Sequence, residues 1–205
     1  MKKLSVLIAL ISLTNIYSQG VYFYAGKNFT QYDYKNSDGE INDILQAGVG
    51  DTYEIGYSMP LKNKKFSYTV GLTLNEFNAV GSTAVNSYKW NTEYIGVQNS
   101  VLFSFVETKC LDIAVKGALN LSTIVYGKQE INGAVYDLIK EKEFSGLIIQ
   151  PVIGIQAKFK LTETGYMSLG YNYSKCINIS NNSDEKLSFN TNQILFGIHF
   201  DITKK

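Results

Sequence analysis

Residues Gln193 to Ile202 read Gln-Ile-Leu-Phe-Gly-Ile-His-Phe-Asp-Ile. Ile194, Phe196, Ile198, Phe200 and Ile202 are large and apolar, while Gln193, Gly197, His199 and Asp201 between them are small or polar. Leu195 is the one exception. Successive side chains of a strand point to opposite faces, so a period of two gives one greasy face and one polar face. The run matches the roughly 9–11 residues a strand needs to cross a bilayer in a barrel wall.

One such segment is weak evidence, but the chain holds eight. Val21 to Phe29 sets Val21, Phe23 and Ala25 against Tyr22, Tyr24, Gly26 and Asn28. Ala47 to Met59 sets Val49, Tyr53, Ile55 and Tyr57 against Gly48, Gly50, Thr52, Glu54 and Gly56. Phe66 to Asn75 alternates without a break. Tyr88 to Val106 sets Ile95, Val97, Val101 and Phe103 against Tyr94, Gly96, Gln98 and Ser100, with Asn99 on the apolar parity. Leu111 to Ser122 sets Val115, Leu119 and Leu121 against Asp112, Lys116 and Asn120. Ile149 to Leu161 has Lys158 and Lys160 on its polar side and Pro151 inside it. A proline removes one ladder donor, so a bulge or distortion is expected there. Met167 to Ser174 is the seventh segment and the final run is the eighth.

The connections alternate in length. Leu61–Lys65, Glu107–Cys110 and Glu163–Gly165 are tight, whereas Gln31–Gln46, Asn78–Ser87, Gly127–Phe144 and Asn178–Glu185 are longer. Ala134 to Lys142 is expected to form a turn or two of helix. Short turns at one end and longer loops at the other are the habit of bacterial outer-membrane barrels. The fold class expected is therefore all-β, an eight-stranded antiparallel up-and-down transmembrane β-barrel.

The N-terminus agrees. Met1-Lys2-Lys3 precedes an apolar run from Leu4 to Leu13, then Ile16-Tyr17-Ser18. This reads as a secretory signal peptide, residues 1–18, followed by the barrel domain, 19–205. The apolar run falls short of the roughly 20 residues that a membrane-spanning helix needs. The formal charge of +1 gives no reason to expect nucleic acid as a partner.

Charge decides which face meets lipid. Glu54, Lys116, Lys158, His199 and Asp201 all fall on the polar faces. A Lys facing lipid at the midplane costs about 2–4 kcal/mol. Inverting the barrel would also crowd Phe and Ile into a lumen that side chains only just fill. The apolar faces therefore point outward and the polar ones inward. An even strand number returns the C-terminus to the side of the N-terminus, the periplasm. Cys110 then lies in a periplasmic turn and Cys176 near the outer rim. A bilayer core of about 30 Å separates them, against the roughly 7 Å a disulfide can bridge, so both thiols are expected free.

On Gly20–Phe29, on Ile194–Phe200, and on the pattern between them, the chain resembles the small outer-membrane β-barrel proteins of Bacteroidetes, the PorT-like group among them. More broadly it is similar to OmpX/OmpA-type barrels. The resemblance spans nearly all of Gln19 to Lys205. It implies residence in the outer membrane amid lipid and lipopolysaccharide, and recognition of the last strand by the insertion machinery. Phe200 is the terminal aromatic, followed by Asp201-Ile202-Thr203-Lys204-Lys205. The resemblance implies no shared chemistry, because such barrels host many roles.

No catalytic, cofactor or metal constellation stands out, and no cofactor is expected. Glu54, Lys116, Lys158, His199 and Asp201 read as a structural polar cluster that plugs the lumen, since charges in a narrow interior must pair. His199 is the only histidine, and no Ser is set beside it by spacing. A metal site needs more ligands than this. The function expected is a non-enzymatic envelope or surface component, monomeric, acting through its outer loops on a partner the residues do not identify. The acidic first loop, Asp33 to Asp43, reads as a solvated loop. Two other readings follow from the same segments: a soluble lipocalin-like ligand-binding barrel, with the apolar face turned in, and an outer-membrane lipid-modifying enzyme centred on His199.

Overall fold

The computed structural model describes residues 19–35, 45–63, 65–179 and 186–202. Residues 1–18, 36–44, 64, 180–185 and 203–205 lie outside them, and with them the expected signal peptide and most of the acidic stretch Asp33 to Asp43. Ten strands follow in order: β1 (Gly20–Lys35), β2 (Leu45–Pro60), β3 (Phe66–Glu76), β4 (Ala79–Ser82), β5 (Ser87–Glu107), β6 (Leu111–Ile131), β7 (Ala134–Asp137), β8 (Leu147–Lys160), β9 (Gly165–Asn178) and β10 (Lys186–Asp201). Every pairing is antiparallel. β1 pairs with both β2 and β10, so the sheet closes on itself. β3 and β4 lie between β2 and β5 as one interrupted strand, and β7 folds back on β6 alone. What remains is an eight-strand up-and-down ring. Closure leaves no unpaired edge facing hydrocarbon, which is why a sheet can span a membrane at all.

The alternation maps onto the wall as its parity requires. Val21, Phe23, Ile55, Leu72, Val97, Ile153, Leu169, Ile194 and Phe196 all point outward and are exposed, Ile153 to 61 %. Glu54, Lys116 and His199 point inward and are buried. At about 3.3 Å per residue and a tilt near 40°, Ile194 to Ile202 rises about 20 Å, close to the roughly 25 Å apolar band of barrels of this kind. Phe103, Phe105, Phe159 and Phe200 lie towards the tight-turn end, and Tyr53, Tyr171 and Tyr173 lie nearer the loops. This is the placement of interfacial aromatic girdles. Towards the loops the outer surface also carries a Lys27–Asp51 ion pair between cross-strand partners. The apolar face is outward, the reverse of what a soluble ligand-binding barrel needs.

Asn99 breaks the outer pattern, and its side-chain oxygen is paired. Tyr68, two positions along the neighbouring strand, donates its hydroxyl to Asn99 Oδ1. The same diagonal Tyr–Asn pairing joins Tyr171 to Asn192 and Tyr173 to Asn190. Each such bond satisfies a hydroxyl donor and an amide oxygen where hydrocarbon supplies no water.

Several expectations change. At Pro151 the distortion is local and is not a bulge: β8 keeps one register against β6 straight through it, while the β9 ladder skips Gln150 and Pro151, as a lost donor requires. The ring instead shifts register between β5 and β6, at Glu93/Tyr94 and Ser104/Val106. Ala134 to Lys142 does not make a helix. Asn132 and Gly133, both at positive φ, turn the chain back so that β7 pairs with β6. An Asn-Gly pair tolerates those angles, which favours a two-residue hairpin over a helix start. Part of Asn78 to Ser87 is strand as well, Ala79–Ser82 in β4. Both thiols are free, Cys110 exposed and Cys176 buried.

Candidate functional site in the barrel interior

The interior is layered. Nearest the tight turns, Lys158 and Asp201 gather around Tyr166. Its hydroxyl donates to Asp201 Oδ2 at 3.2 Å, and the Lys158 ammonium lies 5.7 Å from its ring centroid. Both residues are only partly buried.

Above them sits the centre of the polar plug. Glu54 Oε1 accepts the Tyr22 hydroxyl at 2.6 Å, and Glu54 Oε2 accepts Gln98 Nε2 at 2.8 Å. Lys116 Nζ lies 3.5 Å from the same Oε2 and 5.6 Å from the Tyr24 ring. These groups come from four different strands. What lets them meet is the absence of side chains elsewhere. Tyr22 is the cross-strand partner of His199 and Gly56. A Cβ on Gly56 would come within 2.4 Å of the Tyr22 hydroxyl oxygen. Gly56 is therefore the seat across which Tyr22 reaches Glu54.

His199 occupies the same level. Its Nε2 is 2.8 Å from Ser168 Oγ and 3.4 Å from Gln156 Nε2, and Tyr24 packs edge-on against its ring at 5.3 Å. Spacing did not reveal Ser168. The β9–β10 register does, since Ser168 pairs with Gly197 one inward position from His199. A serine and a histidine at hydrogen-bond distance are the first two parts of a nucleophile–base arrangement. Ser168 is nevertheless 1 % exposed, and aromatic rings cover the imidazole. Asp201, the nearest acid in sequence, is engaged with Tyr166 instead. The pair faces the closed lumen rather than lipid. Leu195, the apolar exception of the last strand, is buried with Tyr22 and Tyr24 and fills the remaining space.

A middle layer is built from amides. Gln193 Nε2 donates to Asn28 Oδ1 at 2.8 Å, and Asn172 Nδ2 donates to Gln193 Oε1 at 3.2 Å. Gln150 Nε2 donates to Ser174 Oγ at 2.6 Å and its Oε1 accepts Asn120 Nδ2 at 3.2 Å. Each amide offers a donor and an acceptor, so the network closes without charge.

The upper layer was not foreseen. Tyr32, Phe77, Tyr94, Ile124, Leu138, Phe144, Ile148 and Phe189 form a buried apolar core inside the outer end. Phe77 is fully buried, and it sits in the two-residue break between β3 and β4. Leu138 and Phe144 come from the connection after β7, which folds inward over the barrel mouth. The only warning in the sequence was that Tyr32, Tyr94, Ile148 and Phe189 fall on the inward parity.

Of the five residues expected to share one lumen cluster, the fold brings Glu54, Lys116 and His199 to one level and sets Lys158 and Asp201 apart at the tight-turn end. Among the described residues, no group of three or more His, Cys, Asp or Glu is placed to hold a metal ion.

A closed antiparallel ring with apolar side chains outside and a paired polar lumen defines a transmembrane β-barrel of the outer-membrane fold. No family model matches the chain, and no curated protein does. Solved structures match its shape. Neisserial surface protein A superposes with a TM-score of 0.52 at 13 % identity, over 88 % of this chain and 97 % of that one. A major outer membrane protein from Thermus thermophilus follows at 0.48, with 11 % identity over 91 % of this chain and 100 % of that one. The outer membrane enzyme PagL matches at 0.39, with 10 % identity over 83 % of this chain and 97 % of that one. Identities this low speak to fold alone.

Proposed function

We propose that the chain is an integral protein of the bacterial outer membrane, exported by residues 1–18 and monomeric there, of the small-barrel kind found in Bacteroidetes. It is a non-enzymatic envelope component whose loops act at the cell surface. The observation that carries this reading is the pairing of an outward apolar belt with a lumen filled across its whole membrane-spanning height. A soluble monomer would not leave so large a continuous apolar surface in water. The Glu54–Lys116 pair, the amides and the aromatics pack the lumen, which supports placing the work in the loops. Lipopolysaccharide surrounds the outer half of the belt, and the insertion machinery reads the last strand.

Fractionation of expressing cells tests the placement. The chain is expected in the outer-membrane fraction, extractable only by detergent, with heat-modifiable mobility on gels. Recovery as a soluble periplasmic protein refutes it. Planar-bilayer recording of the purified chain is expected to show no steady conductance steps. His199→Ala tests the absence of enzyme activity: an altered lipid A or phospholipid profile in cells bearing the wild-type chain, lost in the variant, would restore the enzyme reading.

A further inference from the structure

The upper layer leaves a half-open cavity of about 470 Å³ on the loop side of the apolar belt. Its wall is aromatic: Tyr32, Tyr34, Tyr88, Trp90, Tyr136 and Phe144. Tyr88 and Trp90 lie nearly parallel, ring centroids 5.8 Å apart and planes 14° apart. Tyr32 stands behind them, 6.5 Å from Trp90 and 6.1 Å from Phe144, so rings line more than one side. Asp137, Glu141 and Glu143 also line the cavity, and among the described residues its lining includes no Lys or Arg. A volume of this size suits a small molecule.

We propose that this cavity is a binding site for a small organic cation, of the quaternary or tertiary ammonium class. Two features point to the same ligand. Aromatic faces carry negative charge density and attract a cation within about 6 Å, best of all one whose alkyl groups need not keep their water. The carboxylates of Asp137 and Glu141 add a negative field, where a phosphate, a carboxylate or another anion would be repelled. A neutral sugar could stack on Trp90, but it would gain nothing from the acids. The wall is also prepared before binding. The Tyr32 hydroxyl donates to the Phe77 carbonyl at 2.7 Å, and Ile139 N donates to Asp137 Oδ1 at 2.8 Å, which holds the turn that carries the acids. The site is built from the tips of the barrel's own strands and the connection after β7, so it stands or falls apart from the question of which membrane the chain occupies.

Trp90 is the only tryptophan and lines this cavity, so in the folded chain its emission reports binding there. The full chain, folded in a polyoxyethylene detergent that carries no ammonium group, is titrated with choline and with its neutral isostere, 3,3-dimethylbutan-1-ol. Choline is expected to change the emission saturably in the millimolar range, with the isostere about tenfold weaker. Asp137→Asn with Glu141→Gln is expected to weaken choline about tenfold and leave the isostere unchanged; the asparagine keeps an acceptor for Ile139 N. Heat-modifiable mobility confirms that this variant is folded; should it not fold, Tyr136→Ala, on the exposed hairpin, is expected to weaken choline several-fold. Calorimetry repeats the titration independently of the fluorophore. Equal binding of choline and the isostere, stronger binding of methyl glucoside than of choline, or no saturable response by either method overturns the proposal.

Discussion

The Glu54–Lys116 pair gives the sharpest test of how the lumen is held. Lys116 is 4 % exposed and Glu54 5 %, so neither charge is shielded by water. Their surroundings differ. Glu54 has two further donors, Tyr22 Oη at 2.6 Å and Gln98 Nε2 at 2.8 Å, whereas Lys116 otherwise faces the Tyr24 ring. Glu54→Gln removes the acid 3.5 Å from a buried ammonium. Stranding a buried charge costs about 3–5 kcal/mol, and this variant is expected at the upper end. Lys116→Met strands a carboxylate that keeps two charge-assisted bonds, each contributing about 1.5–3 kcal/mol, so it is expected at or below the lower end. The double variant has no charge to strand. It is expected within about 1–2 kcal/mol of the parent, because a buried pair replaced by neutral groups is often close to neutral. Urea unfolding in phosphatidylcholine vesicles, followed by the Trp90 emission and the heat-modifiable gel shift, measures all four proteins. Equal single-variant losses that add in the double, with coupling under about 0.5 kcal/mol, would refute the idea that these charges hold one another.

Other outcomes follow from the wall. Gly56→Ala places a Cβ 2.4 Å from both the Tyr22 hydroxyl oxygen and the Val70 carbonyl oxygen. It is expected to destabilise by about 2–4 kcal/mol through overpacking and the loss of the Tyr22–Glu54 bond. Gly117→Ala meets nothing within 4 Å and is expected to be neutral or slightly stabilising in the same unfolding assay. Ile153→Arg, in the middle of the outer belt, is expected to cost about 2–4 kcal/mol in vesicles. If it costs nothing there, the belt does not face lipid.

Facing was legible because it is local. Whether Phe196 or His199 meets lipid depends on parity along one strand, and a wall with hydrocarbon outside makes the wrong parity expensive at every second residue. The same logic made the ring of eight legible, since each crossing carries its own alternation and each tight turn its own signal. It also marked Leu195 and Asn99 as exceptions.

What the interior does with its residues was decided only by closure. Tyr22, Glu54, Gln98 and Lys116 meet because four strands bring them to one height, with Glu54 and Gln98 44 positions apart. Ser168 reaches His199 through the β9–β10 register, which no spacing along the chain encodes. Glycines on the inward faces look like mere smallness in the sequence, yet Gly56 is the space that one tyrosine occupies. The apolar core at the outer end was hidden for a related reason. Its residues come from strand tips, from the break at Phe77 and from a connection that folds inward, and burial there is a property of the assembled mouth rather than of any one segment.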